Sequence, residues 1–269
     1  MLELLSMEFM QNALVASVLV AIACGVMGTF VVVNRLTSLS GGVAHASFGG
    51  VGLAALLGFS PMLGSLGFAV ACAMLMGILT WRDRKKSDTF IGVIWAGGMA
   101  LGVILTDMTP GYNGEMMSFL FGSLLTVPTD LLYWMGALLV VILVAVFAKF
   151  RKFLAISYDP EFARVQGMPV LAYYMALIAL IALTVVIAVQ AVGMILVIAL
   201  LTIPAYIAEC FAKSLAQMMI ISVIVSLILV ISGLLLACQL NLVVGPTIIA
   251  CGVLAYALHF AVKRLGKRT

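Results

Sequence analysis

Charge is what this sequence has least of. Lys, Arg, Asp and Glu together make up 9% of its 269 residues, where a soluble domain carries about 25%. So few charges cannot clothe a water-facing surface, which excludes a soluble globular fold. Catalytic signatures are missing too. No GxxxxGK[ST] phosphate loop occurs, so the chain does not bind and hydrolyse ATP by that route. Neither HExxH nor GxSxG is present, and no apolar run carries a pair of aspartates. An intramembrane protease or hydrolase needs such a constellation. The five cysteines (Cys24, Cys72, Cys210, Cys238 and Cys251) form no CxxC pair and no Cys/His cluster. That argues against a disulfide framework or a zinc finger and reads as small buried hydrophobes. The opening MLELLSMEFMQNALV carries Glu3 and Glu8 but no basic n-region, which predicts a retained first span and not a cleaved signal peptide.

Apolar residues fill the gap. They make up 65% of the chain, and the mean hydropathy is +1.29. Several runs reach the roughly 20 residues that span a bilayer. The chain therefore reads as an all-α polytopic membrane protein, one transmembrane domain over residues 1–269. Nine spans are expected, at 12–33, 42–58, 62–80, 89–108, 130–148, 170–190, 193–209, 214–237 and 244–262. A tenth apolar piece, 116–127, follows the turn TPGYNGE and is too short to cross. It reads as a re-entrant or interfacial segment.

The basic residues set the expected orientation. With the N-terminus outside and the C-terminus inside, all 14 Lys and Arg fall on the inner side, as the positive-inside rule requires. The acids are shared between the two sides. The net charge of +4 then serves membrane anchoring, and no nucleic-acid partner is implied. The expected location is the cytoplasmic (inner) membrane.

The span at 42–58 is short and rich in glycine. At 1.5 Å per residue it covers roughly 25 Å, less than a core of about 30 Å. Part of the preceding SLSGG is therefore expected at membrane depth as irregular backbone, tolerated where protein or a water cavity surrounds it. Within this span Gly42, Ala46, Gly50 and Ala54 form a small-xxx-small stripe that admits a neighbouring helix. Beside it run His45, Gly49 and Gly52 at i, i+4 and i+7. The two glycines leave open space on the face of the imidazole, with hydroxyls nearby from Ser38, Ser40 and Ser47. A neutral imidazole is a common ligand for borderline metals. The alternative is a histidine bonded to a backbone carbonyl of a broken helix, and one histidine alone does not decide.

Two further segments stand out. The stretch 149–169, KFRKFLAISYDPEFARVQGMP, is the longest expected inner loop. In it Asp159 suits an N-cap, Pro160 the first helical position and Gly167 a terminator. The short helix so defined is either a docking element or a plain connecting turn. In GMILVIALLTIPAYIAE, Pro204 lies well inside a span and frees the carbonyl of Leu200. A kink there fits a pathway wall or ordinary structure.

The chain resembles the permease subunits of ABC importers for zinc, manganese and iron, and more distantly those for vitamin B12 and ferric siderophores. The resemblance rests on NALVASVLVAIACGVMGTFVVVNRL, GGVAHASFGGVGLA, SDTFIGVIWAGGMALG, SFLFGSLLTVPTDL, DPEFARVQGMPV, VGMILVIALLTIPAYIAE and GPTIIACGVLAYAL, in that order. It implies a transmembrane subunit that pairs with a second permease copy. A dimer of ABC ATPases would bind below it, and an extracytoplasmic metal-binding protein would dock above. The chain itself then binds no cofactor, and ATP is hydrolysed by the partner subunit. In the family the motif ending in the histidine reads Asp-x-x-x-His. Here the Asp position is Gly41, so His45 is kept as a transient pathway ligand and the carboxylate is lost. The family's coupling helix maps onto Asp159, Pro160, Glu161, Phe162, Ala163, Arg164, Val165, Gln166 and Gly167. Gly49, Gly52 and Pro204 are the expected pathway-lining positions. The competing functions are a membrane-embedded enzyme and an ATP-independent metal channel or carrier.

Overall fold

A computed structural model of the chain describes residues 7–109, 119, 122 and 124–265. The described residues form helices joined by short turns, with no strand among them. In order they are α1 (Glu8–Val33), α2 (Thr37–Ala46), α3 (Phe48–Leu57), α4 (Pro61–Arg82), α5 (Ser87–Asp107), α6 (Thr129–Tyr158), α7 (Pro160–Val165), α8 (Val170–Val192), α9 (Met194–Glu209), α10 (Leu215–Leu240) and α11 (Val244–Leu265). Short 3₁₀ turns at Arg84–Lys86 and Leu124–Thr126 precede α5 and α6.

Local chemistry sets many of the ends. Gly58 adopts φ 72° after α3, a left-handed stop that costs glycine little. Pro61 opens α4 at its first turn, where its missing N–H is not needed. Ser214 caps α10 by accepting from the Gln217 N–H at 3.2 Å. Between α8 and α9 a single residue, Gly193, joins the helices at φ 80° and ψ 164°, a conformation closed to residues with a side chain.

Among the described residues seven helical segments are long and apolar enough to cross a bilayer, with α2 and α3 counted as one. Two more, α9 and the apolar part of α11 (Val244–Leu258), are shorter. All nine overlap the spans expected from sequence. Half of the expected piece at 116–127 lies outside the described residues, and within the other half Leu124–Thr126 form a 3₁₀ turn.

Burial separates the centre of the bundle from its rim. In α1 and α8, 72% of the most apolar stretch is buried, against 22% in α5 and in α6. α1 is the axis, packed against α10, α9, α8 and α6. Helices in lipid gain little from apolar burial alone, so close approach through small residues holds them together. A Cβ added at Gly25 of α1 would lie 2.6 Å from the Val223 backbone of α10. Two buried hydroxyls of the central helices are satisfied within their own helix, whereas those of Ser222 and Ser226 on α10 have no partner among the described residues. Ser17 donates to the Ala13 carbonyl and Thr184 to the Leu180 carbonyl.

Two expectations need correction. Residues 38–42 (SLSGG) are not irregular but belong to α2. The Ser40 hydroxyl donates to the Thr37 carbonyl at 2.9 Å, and Gly42 packs against Ile91 and Met76. That packing outweighs the roughly 1 kcal/mol that glycine costs a helix interior. Nor is 149–158 a loop. α6 bends at Lys149 (φ −118°, ψ 17°) and continues to Tyr158. Beyond the bend Phe153 is buried edge-on to Phe30, with centroids 5.9 Å apart, and Asn34 of the α1 terminus donates to the Ser157 hydroxyl at 2.9 Å. Those contacts hold the lower half of α6 against the end of α1.

Candidate functional site

α2 and α3 nearly continue one another, and the break between them is local. Ser47 keeps right-handed helical dihedrals, but the Gly50 N–H reaches back only three residues, to the Ser47 carbonyl at 3.0 Å. The Ser47 hydroxyl donates to the Ala44 carbonyl. His45 sits in the last turn before this joint, eight residues past the start of α2. At 1.5 Å per residue that places it about 12 Å into the helix pair.

The imidazole lies against Trp95 of α5, with ring centroids 4.6 Å apart and planes at 18°. Stacking holds the ring by its face and leaves its nitrogen edges uncommitted. The Nδ1 atom is buried and has no hydrogen-bond partner. The carbonyl bond of a purely structural histidine is therefore not made. A buried nitrogen without a partner is rare enough to need a reason.

Glycines on α5 bring Trp95 to this position. A Cβ at Gly98 would lie 2.7 Å from the Ala46 Cα, and one at Gly102 would lie 2.7 Å from the Phe48 carbonyl carbon. Trp95, Gly98 and Gly102 are at i, i+3 and i+7, a single helix face. These residues lie in SDTFIGVIWAGGMALG, where that spacing is the sequence signal that marks them. The open space expected beside the imidazole is not there. A Cβ at Gly49 would meet the Phe68 ring at 2.8 Å, and one at Gly52 would meet the Gly102 carbonyl oxygen at 2.7 Å. Both glycines serve close helix packing in this conformation.

Gly41, one turn before His45, faces α9. A Cβ there would stand 3.0 Å from Ile198 Cδ1, so the tip of Ile198 occupies the space that a carboxylate at position 41 would claim. Further along α9, Pro204 is buried. Thr202 donates to the Ile198 carbonyl at 2.7 Å. It lines a cavity of about 550 Å³ with Arg35, Ser38, Tyr206 and Tyr256. Pro204 itself does not line that cavity. Among the described residues no group of three or more His, Cys, Asp or Glu side chains gathers.

The short helix expected after Asp159 is present as α7. Asp159 Oδ1 accepts from the Phe162 N–H at 2.9 Å, Pro160 occupies the first turn, and Gly167 ends it at φ 77°. The Met168 N–H bonds back to the Ala163 carbonyl at 3.1 Å, which closes the C-terminus. α7 packs against α6 and α8. Glu161, Arg164 and Gln166 are exposed, as are Phe162 (56%) and Val165 (86%). Ala163 is the exception. It is fully buried within this chain, so it anchors α7 to the bundle.

An all-helical bundle with a histidine at a helix break and a capped, outward-facing short helix at one end has the form of a transporter's membrane subunit. The comparisons make that specific. The model of the ABC 3 transport family matches residues 6–263, and the chain belongs to that family. It is 45% identical to an uncharacterized membrane protein of Synechocystis, over 98% of this chain and 94% of that one. It is 33% identical to the chelated iron transport system membrane protein YfeD of Yersinia pestis, covering 94% and 84%. With the manganese import system permease protein ScaB of Streptococcus parasanguinis it shares 31% identity, covering 94% and 90%. Among solved structures, PsaBC from Streptococcus pneumoniae in complex with a Fab superposes with a TM-score of 0.87 at 29% identity, over 96% of this chain and 92% of that one.

Proposed function

We propose that this chain is the permease subunit of an ATP-driven importer of a divalent first-row transition-metal cation, manganese or iron. The observation that carries the reading is the near full-length relation to permeases named for manganese import and chelated iron transport. Zinc, the third cation expected from sequence, is not named by those relatives, and the proposal narrows accordingly.

In this reading all nine apolar segments cross the cytoplasmic membrane, from an outer N-terminus to an inner C-terminus. A second permease copy completes the pathway. An extracytoplasmic binding protein delivers the cation, and a dimer of ABC ATPases docks at the basic end, where it meets α7. His45 takes the cation transiently. Its uncommitted Nδ1 supports that role, and so does its place at a helix break, where transporters commonly build midplane sites. With one imidazole and no carboxylate at position 41, the cation is held weakly, which suits passage more than storage. Gly49, Gly52 and Pro204 belong to the pathway as seams that let α2–α3 shift against α5 and α9 shift against α1. Exposed Phe162 and Val165, with Asp159, Pro160, Glu161, Arg164, Gln166 and Gly167 around them, form the face that the ATPase grips. Ala163 fixes that face to α6 and α8, so a rigid-body push on α7 reaches the spans.

The test is co-expression with the candidate ATPase, followed by purification through the permease. A stable complex whose ATPase activity rises with manganese or iron and binding protein supports the reading. A chain that moves metal or turns over a substrate with no ATPase bound would instead favour a carrier or a membrane-embedded enzyme.

A further inference from the structure

α6 and α10 both pack on α1, and a groove of about 900 Å³ opens between them. Its floor is Ile22 and Val26 of α1, and Met219, Ile220 and Ile224 of α10 form one wall. The other wall is α6, from Leu143 down through the bend at Lys149. Lys149, Arg151 and Lys152 line this lower end, and among the described residues no carboxylate lines the groove.

The position of these cations along α6 matters. Residues 131–148 carry no charge at all, and Lys149 is the first charged residue after Asp130. The bend therefore marks the depth at which α6 leaves the hydrocarbon. Lys149 and Arg151 are exposed and make no hydrogen bond or ion pair among the described residues. Lys152 is held in place, donating to the Tyr173 hydroxyl at 2.6 Å with its ammonium 5.1 Å from that ring's centroid. An ammonium has three donors, so two remain. Above this level Val140, Val144 and Phe147 of α6 are exposed, an apolar flank suited to acyl chains.

We propose that this groove is a binding site for an anionic phospholipid, with its phosphate at Lys149, Arg151 and Lys152 and one acyl chain along Ile22, Val26 and Ile220. The argument is charge complementarity at a defined depth. An apolar channel in the acyl layer ends in three cations without a counter-ion, at the level where lipid phosphates lie. Basic pockets between spans at the basic side of a membrane protein take up such headgroups. The inference needs only that the bundle sits in a bilayer, and it stands apart from the transport reading. By its place the lipid would bridge the bend of α6 to α10, just above the segment that leads into α7.

The experiment is native mass spectrometry of the full chain, released from micelles doped with either phosphatidylglycerol or phosphatidylcholine. The native chain is expected to retain one phosphatidylglycerol in preference to phosphatidylcholine. Lys149→Gln with Arg151→Gln should weaken that retention roughly tenfold or more, given the attraction of each cation to an anionic membrane. Ile220→Trp, which fills the apolar part, should lower retention of the lipid with the cations intact. Equal retention of the two lipids, or retention unchanged in both variants, overturns the proposal. So does displacement of the lipid by millimolar inorganic phosphate, which would make the basic rim a site for soluble anions. A photoactivatable residue at position 220 should crosslink to phospholipid in native membranes. Crosslinking there to a second protein would show the groove to be a protein interface and overturn the lipid assignment.

Discussion

The imidazole of His45 and the indole of Trp95 lie nearly parallel, 4.6 Å apart by centroid, across the seam between α2 and α5. The contact fixes the plane of the imidazole while its Nδ1 stays buried and unbonded. Aromatic contacts of this kind add about 0.5–1.5 kcal/mol beyond the area they bury. Trp95→Leu should therefore leave expression and assembly intact but loosen the imidazole, raising the metal concentration needed for half-maximal uptake. His45→Ala should abolish most uptake in a permease that still reaches the membrane. A His45→Ala protein that fails to accumulate, with Trp95→Leu indistinguishable from native, would mark the histidine as structural.

Gly41 offers the reverse experiment. Ile198 Cδ1 stands 3.0 Å from where a Cβ would be, so Gly41→Asp alone is expected to crowd α9. Paired with Ile198→Ala it has room, and the carboxylate then falls one helical turn from His45. The double variant should bind manganese more tightly and release it more slowly, so affinity rises while the maximal uptake rate drops. Unchanged affinity in a well-folded double variant would show that position 41 does not face the cation.

At α7 the two faces should respond differently. Val165→Asp alters an exposed side chain and is expected to weaken ATPase binding while the permease stays as stable as native. Ala163→Asp places a carboxylate in a fully buried site and should cost more than about 3 kcal/mol, seen as a permease that unfolds or is degraded. Asp159→Ala removes the cap bond to Phe162 and should cost about 1 kcal/mol locally, read as less transport per ATP hydrolysed. If Val165→Asp retains the ATPase fully, α7 is not its docking face.

The seam itself can be probed through two glycines of α5. Gly102→Val must displace the Phe48 backbone, an overpacking that costs about 1–3 kcal/mol and should lower the melting temperature in detergent. Gly97 has nothing within 4 Å of its would-be Cβ, so Gly97→Ala should leave the melting temperature of the monomer unchanged.

Orientation is tested by single cysteines. Ser60 is exposed in the turn between α3 and α4, and Lys85 in the turn before α5. Ser60→Cys should react with a membrane-impermeant thiol reagent in intact cells and Lys85→Cys should not. The opposite pattern would reverse the topology.

Much of this was legible in the sequence because it depends on composition and local chemistry. The nine apolar segments follow from hydropathy. The Asp159–Pro160–Gly167 signature fixes α7 because capping, proline and left-handed glycine act within a few residues. What could not be read there depends on partners distant in the chain. SLSGG looks irregular until Ile91 and Met76 are found packing against Gly42. Gly49 and Gly52 look like open space until Phe68 and Gly102 fill it. Ala163 looks like contact surface until the bundle is seen to cover it. The bend at Lys149 looks like the end of a span, because a run of charges ends an apolar window but need not end a helix.

The central claim is that ATP hydrolysed by a partner drives a manganese or iron cation through this chain past His45. The most direct measurement is ATP-dependent uptake of radioactive manganese or iron into proteoliposomes holding the permease, its ATPase and the binding protein. Native permease should accumulate label only with ATP and binding protein present, while His45→Ala should hydrolyse ATP with little accumulation. Accumulation independent of ATP, or undiminished in His45→Ala, would contradict the account.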